Sequence, residues 1–397
     1  MNNFKIELPT KVYFGNNCVL DALLSEKSRI NGHILLVCGC SEASAVNAEK
    51  MHTWISSVNP DAIVTDYRNP HSNPRLDDVR EAAKQAWEKN VHTIIAIGGG
   101  SVMDLAKAVA VAAVSEEDIG AYFGTSKELP ENTLPIIAVP TTAGTGSELS
   151  KAAILTDSAQ GVKDGIRGAC LAPKVAIVDP ELTYTVPLKT TMETGFDVLA
   201  HAVESFLSRK ADLYSEMLSA RAISIVGESL PLLKRFIESR EGITEGDIDP
   251  SEKEAREKML FASMLMGINL YRTGNCLPHR MQYPIGALTD TSHGAGLAAL
   301  FPAWIGREFE VNRDKVQEVF SYLGYPADDI PTDGREVRKI FYGFLKNKLG
   351  IGYSLKGLGV KQSAEELAPQ VRGNLKSDIL SETPDILIKI YEESMGE

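Results

Sequence analysis

No run of apolar residues in this chain reaches the length of a membrane span, and no cluster of Lys and Arg stands out. With a formal net charge of −12, the second absence argues against nucleic acid and anionic membrane as partners, since either would repel the chain. Cysteine is scarce: Cys18, Cys38, Cys40, Cys170 and Cys276 are odd in number and have neither disulfide-framework nor zinc-finger spacing. A reduced, cytoplasmic compartment is therefore expected. The opening Met1-Asn-Asn-Phe-Lys5 lacks the charged-then-apolar pattern of a secretory leader. There is no internal repeat, no low-complexity tail, no G-x-G-x-x-G fingerprint and no P-loop.

What is present is an ordinary globular composition, 44% hydrophobic and 24% charged, over 397 residues, a length that suggests two domains. After two short extended pieces around Pro9, the first half alternates strands and helices. His33–Cys38, Ala62–Tyr67, Val91–Ile97, Pro135–Pro140 and Val175–Asp179 are short, buried-type apolar runs, and helical patterns such as Arg75–Lys89 fall between them. That alternation predicts a mostly parallel sheet with helices on both faces and ligands at the carboxyl ends of its strands.

Two polar loops follow neighbouring strands. In Gly98-Gly-Gly-Ser-Val-Met-Asp-Leu-Ala-Lys107 the glycines permit close backbone approach to a ligand, Ser101 stands where an N-cap belongs, and Asp104 stands three residues on as a capping-box partner. Free N–H groups at the start of the following helix favour a pyrophosphate. Pro140-Thr-Thr-Ala-Gly-Thr-Gly-Ser-Glu148 adds hydroxyls and amide donors beside the next strand end. Either loop alone is equally a tight turn; together they favour a dinucleotide cleft. The early strand ending Val37-Cys-Gly-Cys-Ser41 has no acidic residue before Glu42 to bind a ribose 2′-hydroxyl, so NADP(H) is permitted, though no Arg or Lys stands ready for its phosphate.

From about Pro187 the strand pattern ends, and amphipathic helices run through Ala211–Glu238 and Glu252–Tyr271 around the polar stretch Glu238–Pro250. In Thr194–Ser205, Phe196, Ala200, Val203 and Leu207 form an apolar stripe, and Asp197 and His201, four apart, share a face beside it. An isolated pair of this kind is usually a hydrogen bond on a helix surface; alternatively it is half of a metal site. Of the seven histidines, His33, His52, His71 and His92 fall at strand edges or in polar segments, where structural or exposed roles are expected. His279 and His293 follow in the helical half. With Asp197 and His201 they form a set of one carboxylate and three imidazoles, which suits Zn²⁺ or Fe²⁺.

These motifs, in this order, resemble the iron-containing (group III) alcohol dehydrogenases over the whole chain. The resemblance rests on the Gly98–Lys107 loop, the Pro140–Glu148 loop, Asp197-x-x-x-His201, and His279 with thirteen residues before His293-Gly294. It implies an α/β Rossmann-like N-terminal domain (1–186) and an all-α C-terminal domain (187–397), the dehydroquinate synthase-like two-domain plan. A divalent metal, Fe²⁺ or Zn²⁺, held by Asp197, His201, His279 and His293 would lie in the cleft between them. By the same resemblance Gly99, Gly100 and Ser101 would hold the pyrophosphate of NAD(H) or NADP(H), with Asp104 in the same loop motif. Thr141, Thr142 and Thr145 would line its path, Asn73 and Lys163 would face the cofactor, and Leu182 would contact the adenine side. Gly39 stands where NAD-preferring members often carry Asp. Tyr283 replaces a His that many members carry four residues after the third ligand, and is the candidate proton relay.

The implied reaction is metal-dependent interconversion of an alcohol and an aldehyde or ketone by hydride transfer with NAD(P), on a small-molecule substrate. Two alternatives stay open. One is a same-fold glycerol-phosphate-processing or dehydroquinate-synthase-like enzyme, for which Arg272 and Arg280 are the only obvious phosphate partners. The other is a non-catalytic nucleotide- or metal-binding protein. A homodimer is expected by resemblance, with the apolar, extended Phe4–Phe14 segment suited to add to a second copy's sheet edge.

Overall fold

The computed structural model describes residues 4–240 and 248–396 and divides into two compact units. One comprises Ile6–Thr142 and Gly146–Val186; the other comprises Ala143–Thr145 and the chain from Pro187 onward, together with Phe4 and Lys5. Much of the expected loop Glu238–Pro250, residues 241–247, lies outside the described residues.

In the first unit, β1 (Lys11–Phe14), α1 (Val19–Ser25), β2 (His33–Gly39), α2 (Glu42–Val58), β3 (Ile63–Asn69), α3 (Leu76–Glu88), β4 (Val91–Gly98), α4 (Gly100–Ala112) and β5 (Ile136–Pro140) follow in order. After a hairpin of β6 (Ala152–Asp157) and β7 (Val162–Arg167), β8 (Val175–Val178) closes the series. The six-stranded sheet is parallel throughout, in the order β1-β8-β5-β4-β2-β3. Alternate residues go to opposite faces, as a period of two requires. Leu35, Val37, Ile94 and Ala96 join one apolar core, while Ile34, Leu36, Cys38, Ile95 and Ile97 join the other. Because both faces are covered, the inner strands β2, β4, β5 and β8 read as near-continuous apolar runs, while the edge strands β1 and β3 are half-buried.

Of the two pieces expected around Pro9, only Lys11–Phe14 becomes a strand. The β6–β7 hairpin was not among the expected strands: its apolar stretch Ala152-Ala-Ile-Leu155 is short, polar Lys163 and Asp164 and the small Gly165 interrupt β7, and Gly161 turns the hairpin at φ +64°.

The second unit is helical, with α5 (Leu188–Leu207), α6 (Leu213–Ser239), α7 (Pro250–Arg272), α8 (Leu277–Thr289) and α9 (His293–Val311). It ends in α10 (Arg313–Tyr322), α11 (Gly334–Gly343), α12 (Ala364–Leu367) and α13 (Ile386–Ser394). α5 is buried almost all round rather than along one stripe. Phe196 leads into an aromatic cluster, edge-on to Phe301 at 5.4 Å, with Phe301 stacked on Phe341 at 5.2 Å. Near the start of α9, a Cβ added at Gly294 would lie 2.2 Å from the carbonyl oxygen of Glu193 on α5, so only glycine lets these backbones meet. This crossing sets His293 beside the α5 residues. Gly294→Ala is expected to cost about 1–3 kcal/mol, as overpacked cores do; an unchanged denaturation midpoint would show that the helices part without cost.

Candidate metal centre and dinucleotide site

The helical unit gathers its three histidines around one carboxylate. Asp197 and His201 project from successive turns of α5, His279 from the first turn of α8, and His293 opens α9. Donor atoms of Asp197, His201 and His279 all lie within 4.8 Å of one another, and all three residues are buried. From Asp197 Oδ1, His279 Nε2 stands 3.2 Å away, His201 Nδ1 3.6 Å and the half-exposed His293 Nε2 3.8 Å. The rings of His201 and His279 are stacked at 4.2 Å.

The reading of Asp197 and His201 as a surface hydrogen bond is thereby excluded: Asp197 is 2% exposed, and His201 Nδ1 is buried without a hydrogen-bond partner. A buried imidazole nitrogen left without a partner beside a carboxylate is what a cation's donor set presents before the cation is added. One carboxylate with three imidazoles fits Fe²⁺ or Zn²⁺.

Two neighbours absent from the sequence-based set fix the rings. Glu204 Oε1 accepts from His279 Nδ1 at 2.5 Å, and Gln282 Oε1 accepts from His293 Nδ1 at 2.6 Å. Each holds the nitrogen facing away from Asp197, the arrangement that orients metal-ligating histidines. Their spacing was a readable signal: Glu204 is one turn beyond His201 and Gln282 one turn beyond His279. The electrostatics follow. Burial alone would raise the Asp197 carboxyl, but His201, His293 and His279 outweigh it and hold it well below the usual range. Burial pushes His201 down to about 3 against the pull of Asp197. For His279 burial is outweighed by Glu204 and Asp197, which raise it to about 9.

Tyr283 is buried, and its hydroxyl accepts a hydrogen bond from Arg280 Nη1 at 3.4 Å.

In the α/β unit the expected loops come together at adjacent strands: β4 pairs with β5, and Thr141 N–H donates to Gly98 O at 3.0 Å. The order in which successive strands are added reverses at β2, with β3 on one side of it and β4 on the other, and such a switch point is where doubly wound sheets bind ligands. Gly39 ends β2 on one side of it; Gly99 and Gly100 follow β4 on the other. A Cβ on Gly99 would stand 3.2 Å from Thr142 Oγ1. Lys163 Nζ donates to Asn73 Oδ1 at 2.7 Å, joining two of the expected cofactor contacts. Leu182 is buried in the turn Pro180–Thr183. Thr145 belongs to the other unit.

The capping assignment is corrected. Gly99, not Ser101, is the N-cap of α4, and Ser101 lies inside the helix. Asp104, one turn further in, accepts instead from Ser147 Oγ at 2.6 Å and Ile154 N–H at 2.9 Å, tying the second loop to the first helix. Buried Lys107 completes this anchor through Ser147 Oγ, Ser150 Oγ and Ala152 O at 2.7, 2.9 and 3.0 Å.

Residues 9–180 match the model of the iron-containing alcohol dehydrogenases, and residues 191–387 match the C-terminal model of the same family. This chain belongs to the iron-containing alcohol dehydrogenase family. The 1,3-propanediol dehydrogenase of Citrobacter freundii is 30% identical over 365 residues, 91% of this chain and 90% of that protein. Among solved structures, a 1,3-propanediol oxidoreductase superposes with a TM-score of 0.85 at 26% identity, covering 99% of this chain and 100% of the other. A sulfoacetaldehyde reductase from Bifidobacterium kashiwanohense, solved with NAD⁺, gives 0.82 at 27% identity with both chains fully covered. As a member of this family the protein is an iron-type oxidoreductase that interconverts alcohols and aldehydes with a nicotinamide dinucleotide. Among the described residues no helix is long and apolar enough to cross a membrane.

The second loop yields a pH test. Glu148 is buried, its Oε1 has no hydrogen-bond partner, and burial raises its carboxyl from 4.5 to about 7, with its own backbone amide and Lys107 opposing. Between those values the folded chain keeps a proton that the unfolded chain releases, so this group's contribution to stability falls as pH rises from about 4.5 to 7. Glu148→Gln removes the penalty. Its melting temperature should match that of the unsubstituted protein near the acid end of this window and exceed it above; parallel melting curves across the window would contradict the assignment.

Proposed function

We propose that Asp197, His201, His279 and His293 hold one divalent metal, Fe²⁺ in keeping with the family, with Zn²⁺ compatible with the same donors. The observation that carries this reading is the buried Asp197 carboxylate facing three imidazoles, two of them held from behind by Glu204 and Gln282. Together with the Gly98–Ser101 turn, it supports an alcohol dehydrogenase acting on short alcohols and aldehydes, the class to which the relatives' propanediol and sulfoacetaldehyde belong.

When bound, the metal supplies Lewis acidity at the substrate oxygen, and the nicotinamide supplies or accepts the hydride. The chain does the rest. Glu204 and Gln282 keep Nε2 of His279 and His293 turned toward Asp197. Amide N–H groups at the start of α4, from Gly99, Gly100 and Ser101, receive the pyrophosphate, and Asp104 keeps the adjoining loop in place. Thr141, Thr142, Thr145, Asn73, Lys163 and Leu182 serve as the further cofactor contacts. Tyr283 Oη, accepting from Arg280, keeps its own proton available for the substrate oxygen. Gly39 at the end of β2 offers no carboxylate to repel a 2′-phosphate, which permits NADP(H) as well as NAD(H).

The five cysteines are all free, which supports a reducing, cytoplasmic setting. Strand β1 is an edge of the sheet, which supports a homodimer formed by strand addition. Phe4, by contrast, packs on Tyr214 of its own chain, so the strand-adding segment narrows to Lys11–Phe14.

His279→Ala should leave the anaerobically purified protein nearly free of iron and zinc by elemental analysis and without aldehyde reductase activity, while NADPH still quenches its fluorescence. Full metal content in this variant would refute the ligand assignment.

A further inference from the structure

Arginines that sit in protein interiors are ordinarily matched by an acid, and this chain shows the rule and one exception. Buried Arg256 donates from Nε to buried Glu252 at 2.9 Å. Arg272 pairs with Asp212, donates to the Lys5 carbonyl, and lies over the rings of Phe4 and Tyr214 at 5.4 and 5.3 Å. Arg280 is only 9% exposed, yet among the described residues no carboxylate stands within ion-pair distance of it. Its hydrogen bond is the long one from Nη1 to Tyr283 Oη at 3.4 Å, and its Nε is buried with no partner at all.

The surroundings fix the guanidinium rather than neutralise it. It lies over the Tyr283 ring at 5.6 Å from the centroid. Gly373, at φ +95°, lies against it, and a Cβ there would come within 3.3 Å of Nη1 and 3.4 Å of Cζ. A left-handed glycine packed this closely leaves no room for an acidic side chain at that position. What remains is a held, planar cation with unused donors, the geometry that takes a carboxylate, sulfonate or phosphonate by two parallel hydrogen bonds. Leaving such a charge buried and unpaired is unfavourable, so a ligand anion is the natural complement.

Arg280 also stands next to the ligand histidine in the chain, and Tyr283 is one turn beyond that histidine on the same helix.

We propose that Arg280 is the specificity-determining residue of this enzyme and that its substrate is a short aldehyde or alcohol carrying an acidic oxoanion. This inference rests on the alcohol–aldehyde reading above, and deepens it. A neutral substrate would leave the Arg280 charge unmatched in the complex.

The test compares reduction, with NADH and with NADPH, of butanal and propanal with that of succinic semialdehyde, sulfoacetaldehyde and phosphonoacetaldehyde. At least one acidic aldehyde should exceed its neutral counterpart by about 100-fold in kcat/KM, and the preferred acid identifies the oxoanion. Arg280→Gln should raise KM for that substrate far more than it lowers kcat and collapse the acid-to-neutral ratio toward unity; Arg280→Lys should restore part of it. Preference for the neutral aldehydes, or an equal effect of Arg280→Gln on all five, would overturn the proposal while leaving the oxidoreductase reading intact. The comparison with unsubstituted enzyme stands even if the Gln variant fails to fold. If no aldehyde is reduced, the oxidoreductase reading is what fails. Calorimetry with succinate, sulfoacetate and phosphonoacetate then decides the anion site: binding that is lost in Arg280→Gln and only weakened in Arg280→Lys supports it, and no binding to the unsubstituted protein, or binding unchanged in Arg280→Gln, overturns it.

Discussion

Asp197 is a buried acid whose nearest polar company is three imidazoles, and the helical unit is arranged to keep it so. A carboxylate taken out of water is tolerated only when positive charge or donors surround it. Here the compensation comes from three different helices, so α5, α8 and α9 must keep their mutual positions to within an ångström or so. Gly294 allows α9 to approach α5, and the Phe196–Phe301–Phe341 cluster packs beneath the same crossing. Glu204 ties α5 to α8 twice, through His279 Nδ1 and through the Cys276 N–H at 2.6 Å. Asp378 takes the next free amide, Leu277 N–H, at 3.0 Å. The start of the helix bearing His279 is thus held by two buried carboxylates that satisfy amides left open by helix geometry.

A second buried ionic group does comparable work in the α/β unit. Lys107, Asp104 and Ser147 join α4 to the loop after β5, so the two polar loops at the strand ends are set relative to each other by a fixed lattice of short bonds. The glycines supply room; these three residues supply rigidity. Burial pushes the Lys107 amine down to about 8 while Asp104 and Glu148 resist the shift, and it also raises Asp104, so burial perturbs acid and base in the same cluster in opposite senses.

Much of this was legible in the chain. Inner parallel strands covered on both faces appear as near-continuous apolar runs, so β2, β4, β5 and β8 were found within a residue or two at their ends, and the more polar edge strand β3 was found from its place in the alternation. That Asp197, His201, His279 and His293 would come together was legible because few residue types bind such metals and only three histidines fall in the helical half. Polar partners that act through geometry were less legible. Glu204 and Gln282 have the right helical spacing, but so do many surface residues, and only burial distinguishes them. Asp104 misled for the same reason: three residues after Ser101 it fits a capping box, yet the helix starts at Gly99 and its carboxylate is drawn to Ser147 and Ile154. The unpaired state of Arg280 could not be read at all, because it depends on which acids fail to come near.

The central claim is that Asp197 and the three imidazoles facing it form one metal centre. Crystals of the anaerobically purified protein, measured on both sides of the iron and zinc absorption edges, test it directly. The account predicts a single anomalous peak bounded by Asp197, His201, His279 and His293, appearing at one of the two edges. A folded chain with no peak there, or with its metal bound elsewhere, would contradict it.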